Sequence, residues 1–145
     1  VLWPGSCIVH ENFDAKALIR LKARHPGAVV LAHPECPEQI LDLADFIAST
    51  TGLLAHVEKS AAPEFIVATE AGILHQMRKA CPDKIFYLAE TDESTCSCSE
   101  CRYMKLNTLE KVRSCLAEEC PEVTLPQEIL EKALLPLSRM LEVSR

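Results

Sequence analysis

Three short stretches of this chain are apolar almost without interruption, and each lies between segments of helical periodicity. Ala28-Val29-Val30-Leu31-Ala32 carries no polar side chain over five positions. Phe65 to Ala68 and Lys84 to Leu88 read as two further strands. A strand with one wet face alternates polar and apolar residues, so a run without alternation needs cover on both faces. Before the first run, Asn12 or Asp14 is placed to cap a helix reaching about Arg24, with Phe13, Ala17, Leu18 and Leu21 on one face. After it, Pro37 suits the first turn of a helix over Glu38 to Phe46, and Ser49 or Thr50 the cap of another through Glu58. Further helices are expected from about Gly72 to Ala80, from Leu109 to Glu118 and from Gln127 to Val143. Strands alternating with helices imply right-handed crossovers. The expected fold is therefore α/β, a three-layer αβα sandwich with a short parallel sheet.

Composition removes several function classes. With 48% hydrophobic and 25% charged residues the chain is not intrinsically disordered. A net charge of −6 disfavours nucleic acid or an anionic membrane as partner. No apolar run approaches the roughly 18 residues of a membrane span. The opening Val1-Leu2-Trp3-Pro4-Gly5 has neither an initiator Met nor a basic leader. It stands close before a motif, so the chain is expected to be the C-terminal part of a longer protein.

In an open parallel sheet, ligands bind outside the carboxyl ends of the strands. His33, Pro34 and Glu35 follow the first apolar run directly, Thr69 and Glu70 the second, and a cysteine-rich loop the third. All are expected at one edge of the sheet. His33 and Glu35, two positions apart, suit a polar substrate or general acid–base work, although a loop histidine satisfied by backbone beside an exposed carboxylate is the plainer alternative. Ser49-Thr50-Thr51-Gly52 offers hydroxyls and free N–H groups at a helix start, which suit an anion or serve simply as a cap.

The eight cysteines stand at 7, 36, 81, 96, 98, 101, 115 and 120. Long helical patterns and few glycines argue against a secreted disulfide scaffold, which leaves metal ligation or redox chemistry. Cys7 lies between a glycine turn and a helix start, a place that favours a thiolate, with a small buried apolar residue as the plainer alternative. Cys96, Cys98 and Cys101 share a polar loop with no bulky residue. They are too few and too close for a four-cysteine zinc ribbon, whereas an iron–sulfur cluster draws ligands from distant parts of a chain. Cys98 and Cys101 also form a Cys-x-x-Cys pair, so a thiol–disulfide role stays open. Cys36, Cys81, Cys115 and Cys120 read as packing or surface residues.

Five segments in register resemble the quinolinate synthase A family. They are Trp3-Pro4-Gly5-Ser6-Cys7-Ile8-Val9-His10, His33-Pro34-Glu35-Cys36, Ala48-Ser49-Thr50-Thr51-Gly52, Thr69-Glu70-Ala71-Gly72 and Cys101-Arg102-Tyr103-Met104-Lys105. The resemblance implies three similar αβα domains around a 4Fe–4S cluster held by one cysteine from each domain. One iron then lacks a protein ligand and acts as Lewis acid. It implies the condensation of iminoaspartate with dihydroxyacetone phosphate to quinolinate, the precursor of NAD, with iminoaspartate supplied by L-aspartate oxidase or aspartate dehydrogenase. Residues 1–25 would be the end of the middle domain, 26–105 the third domain and 106–145 a helical tail. Cys7 and Cys101 would be cluster ligands, with Cys96 and Cys98 as extra thiols. His33 and Glu35 would be catalytic, and His33, Pro34, Glu35 and Thr50 would bind substrate, with Glu70 a lesser candidate. The family is about twice as long as this chain, so the chain alone is expected to be inactive. The oxygen lability of such a cluster implies a reducing cytoplasm. The rival reading is a small non-catalytic zinc or thiol-redox module built on Cys96, Cys98 and Cys101.

Overall fold

The structure is a computed structural model, and it describes residues 5–91 and 99–144. The chain divides into two compact units, Val1–Met104 and Lys105–Arg145. The first begins with a single turn, α1 (Ile8–Glu11), and continues through α2 (Ala15–Arg24), β1 (Val29–Ala32), α3 (Glu38–Leu41), β2 (Phe46–Ile47), α4 (Thr50–Lys59), β3 (Glu64–Ala68), α5 (Ile73–Ala80) and β4 (Ile85–Leu88). The four strands form one parallel sheet in the order β2-β1-β3-β4. Val29 to Ala32 pair in step with Phe65 to Ala68, and Glu64 to Val67 with Ile85 to Leu88.

The uninterrupted apolar runs have the cause expected of them. Val30, Ala32, Ile66 and Ala68 pack with Phe13, Leu18, Leu21 and Ile40, the inward residues of α2, α3 and the turn before α2. Their strand neighbours Leu31, Phe65 and Val67 point the other way, against Leu53 and Val57 of α4 and Leu74 and Met77 of α5. The central strands β1 and β3 thus each feed two cores, and the three-layer αβα sandwich follows. Each fully buried Leu, Phe or Ile contributes about 1.5–3 kcal/mol through lost apolar surface.

Local signals set the helix starts. Asp14 Oδ1 accepts the Lys16 N–H at 2.8 Å and caps α2. Ser49 Oγ accepts the Gly52 N–H at 3.3 Å and caps α4, a bond of the kind worth about 1 kcal/mol. A Cβ on Gly52 would stand 2.8 Å from the Ala48 Cβ, so glycine is required there by space.

The expected helix over Glu38 to Phe46 is a correction. Helix α3 stops at Leu41, and Phe46–Ile47 form the edge strand, paired with Leu31 and Ala32. Asp45 decides this. Its N–H donates to the Val30 carbonyl at 2.9 Å, and its carboxylate accepts the Val30 N–H at 2.8 Å. These bonds draw the segment onto the edge of β1, and a two-residue strand is too short to show a period in the sequence.

The second unit holds α6 (Leu109–Glu118) and α7 (Gln127–Val143), at the expected limits. Thr108 Oγ1 caps α6 by accepting the Lys111 N–H at 3.3 Å, and Glu119 ends it in the left-handed conformation at φ 50°. On α7 the Lys132 ammonium meets the Glu128 carboxylate at 2.6 Å, one turn away. Among the described residues no helix is long and apolar enough to cross a membrane.

Candidate active site

From β1 the chain crosses to β2 on one side, then returns to place β3 on the other side of β1. That reversal opens a crevice between the loops following β1 and β3, where ligands of such sheets bind. His33-Pro34-Glu35 leaves β1, and Thr69-Glu70 leaves β3. The His33 N–H donates to the Ala68 carbonyl at 3.1 Å, which binds the two loops at their roots.

Between these loops lies His10, contributed by α1 and only 6% exposed. Its Nδ1 lies 3.0 Å from Glu35 Oε2, and its Nε2 2.9 Å from Thr69 Oγ1. Its ring stacks on that of His33 at 4.2 Å between centroids, 5° from parallel. Burial lowers the His10 pKa and the neighbouring His33 lowers it further, against the opposing pull of Glu35 and Glu70. The ring is therefore held neutral near pH 7. A carboxylate only accepts, so Nδ1 carries the proton and donates to Glu35, and Nε2 accepts from the Thr69 hydroxyl. The Glu35 N–H donates to His33 Nδ1 at 3.3 Å, which leaves Nε2 to carry the proton of a neutral His33 ring.

Cys7 is the residue preceding α1, and its side chain makes no capping bond. Its sulfur, a His10 nitrogen and a Glu35 oxygen lie within 4.8 Å of one another, a group able to hold a metal ion. Within that group the His10 nitrogens are already engaged by Glu35 and Thr69, so among the described residues the thiol is the donor with no competing bond. Cys101 lies outside the group, on the loop after β4. It reaches the same edge through Glu70, whose Oε1 accepts the Cys101 N–H at 3.3 Å. Cys7 and Cys101 are both half-buried free thiols. An iron–sulfur cluster takes thiolate ligands, and a pair of accessible thiols at one sheet edge fits that demand from this chain's side.

Cys36 differs from both. It is buried beneath the crevice, its thiol donates to the Ala68 carbonyl at 3.4 Å, and burial pushes its pKa up to about 11. At pH 8 about one such thiol in a thousand is ionised. Alkylation by iodoacetamide at that pH is accordingly expected to label the exposed Cys115 and Cys120 at least about a hundredfold faster than Cys36, as read by peptide mass spectrometry. Comparable rates would show the thiol to be open.

Thr50 opens α4 at the same edge, half-buried, and makes no hydrogen bond to His10, His33 or Glu35. Pro34 is exposed in the loop after β1. Cys96 and Cys98 lie outside the described residues. The sequence alone gives no role to His10 or Thr69, although both stand in segments that carry the family resemblance. The one available signal was the three-residue step from Cys7 to His10 at a helix start.

Fold and site together define an αβα protein that gathers thiol, imidazole and carboxylate groups at the topological switch point of a parallel sheet. Residues 1–142 match the family described as quinolinate synthetase A protein. The quinolinate synthase of Microcystis aeruginosa is 52% identical over 144 residues, which are 99% of this chain and 45% of the relative. Those of a Synechococcus strain and of Chloroherpeton thalassium are 51% and 50% identical, again over 45% of their length. The chain belongs to the quinolinate synthetase A family, an enzyme family of NAD biosynthesis, and spans under half the length of these curated relatives.

Proposed function

We propose that the chain is the C-terminal portion of a quinolinate synthase, which condenses iminoaspartate with dihydroxyacetone phosphate to give quinolinate. The family match across residues 1–142 carries this reading. Cys7 and Cys101 hold a 4Fe–4S cluster together with a third cysteine from outside this chain. When bound, the cluster supplies a Lewis acid at the iron that has no protein ligand, which assists loss of water from the condensing substrates.

The chain's own residues move and hold protons. Glu35 is the acceptor nearest the crevice, with His10 Nδ1 at 3.0 Å and His33 Nδ1 at 3.7 Å from its Oε2. A proton taken up by Glu35 has two imidazoles beside it, a pairing suited to general acid–base work near neutral pH. The stack on His10 fixes the plane of His33 and so the direction of its outer N–H. Thr50 presents a hydroxyl at a helix start, which suits a phosphate or carboxylate of the substrates, and Pro34 stiffens the loop that carries His33 and Glu35. L-aspartate oxidase or aspartate dehydrogenase supplies iminoaspartate, and the reaction takes place in the cytoplasm. Residues 1–25 complete the middle domain, 26–105 form the third domain, and 106–145 are the tail.

The test is quinolinate formation by the complete protein, purified without oxygen and given dihydroxyacetone phosphate and freshly generated iminoaspartate. Product at several turnovers per cluster is expected. A protein that carries iron and sulfide but forms no quinolinate would overturn the assignment.

A further inference from the structure

The end of β3 bears two adjacent anchors with different loads. Thr69 holds His10, and Glu70 holds the loop that carries Cys101. Glu70 Oε1 accepts the Cys101 N–H at 3.3 Å, and Oε2 accepts the Gly72 N–H at 2.7 Å. Beside them the Ala71 N–H donates to the Ser99 carbonyl at 2.8 Å, and Ser99 Oγ, on a residue only 3% exposed, donates to the Ala89 carbonyl at 3.3 Å. One carboxylate therefore clips a cysteine 31 positions later in the chain to the end of a central strand. Hydrogen bonds from N–H groups to an ionised carboxylate are about twice as strong as neutral ones.

Gly72 belongs to the same device. Its backbone, at φ −59° and ψ −26°, is open to any residue. A Cβ there would stand 2.7 Å from Glu70 Oε2. What the glycine supplies is room for the carboxylate to turn in and meet both N–H groups.

The loop offers three thiols, at 96, 98 and 101, within six positions. Spacing alone gives no reason for a metal centre to take one of them. We propose that Glu70, seated by Gly72, is a positioning residue that selects Cys101 as the cluster ligand by fixing its main chain at the end of β3. The proposal rests on the reading of Cys101 as a ligand and adds the cause of that choice. Groups that orient ligands in this way typically alter metal affinity about 10–100-fold when removed.

The complete protein is prepared without oxygen as wild type, Glu70→Gln, Glu70→Ala and Gly72→Ala. Three quantities are read: amide exchange of the Cys101 peptide in metal-free protein, iron release to a chelator from loaded protein, and the cysteines shielded from alkylation in loaded protein. Glu70→Ala is expected to expose the Cys101 amide, to release iron about 10–100-fold faster and to spread shielding from Cys101 to Cys96 and Cys98. Gly72→Ala should reproduce this with the carboxylate still present. Glu70→Gln keeps one neutral acceptor and should fall between. Iron release at the wild-type rate in both alanine variants, or shielding that stays on Cys101 alone, overturns the proposal. So does faster exchange throughout β1 and β3 in all three variants, which would mark general loosening. A wild-type protein that binds no iron fails the functional reading first and takes this inference with it, whereas a loaded wild type with indifferent variants fails the inference alone.

Discussion

Complete protein carrying Cys7→Ala is expected to leave an anaerobic column colourless, without iron or sulfide, and to form no quinolinate. Cys101→Ala should do the same, while Cys115→Ala should stay brown and fully active. The contrast is one of placement. Cys7 precedes α1 beside His10 and Glu35, and Cys101 is clipped to the end of β3, whereas Cys115 is an exposed residue of α6 in the second unit. Three thiolates already hold four irons, so no spare ligand replaces one that is withdrawn, and the loss should be total rather than graded. A full cluster in Cys101→Ala together with its loss in Cys96→Ala would reassign the ligand. Colourless wild-type protein with stoichiometric zinc would favour the small metal module instead.

His10→Ala should produce the next largest loss, with kcat down by about 100-fold or more and iron content unchanged. The side chain does three things at once. It donates to Glu35, accepts from Thr69 and lies flat against His33. Without it, the Glu35 carboxylate loses its nearest proton partner and His33 loses the surface that sets its plane. His10→Asn, which keeps a polar group but neither the stack nor a proton-accepting nitrogen, should restore little. Thr69→Val tests the other side of the ring, since the hydroxyl that donates to Nε2 is gone. A smaller fall in kcat is expected there, with the pH profile displaced because Nε2 is no longer pinned as acceptor. Wild-type turnover in His10→Ala would remove the histidine from the chemistry and reduce it to packing. Steady-state kinetics with iron analysis on the same samples decide between these outcomes.

His10 can be read in the chain but not interpreted there. His10 stands in a legible segment, three positions after Cys7. Nothing in one dimension shows that a single helical turn will lay its ring against His33, 23 positions later, or place Thr69 within 2.9 Å. The strands were different. Val29 to Ala32 and Phe65 to Ala68 are apolar at every position, and only a central strand covered on both faces accounts for that. Between them, Phe46 reads in the sequence as the end of a helix, because a strand of two residues carries no period and the decisive contact is the Asp45 carboxylate on Val30.

The chain by itself determined the layering, the parallel sheet and the edge at which His33, Glu35, Thr69, Glu70 and Cys101 collect. Those follow from burial on both faces and from the one-handed crossovers that short connections allow. Only the tertiary structure decided which members of that edge touch: His10 between Glu35 and Thr69, and Glu70 on the amide of Cys101. Such contacts are fixed by how loops from separate strands pack to within about 3 Å of one another, the hydrogen-bonding distance, and no local preference of either segment encodes that distance.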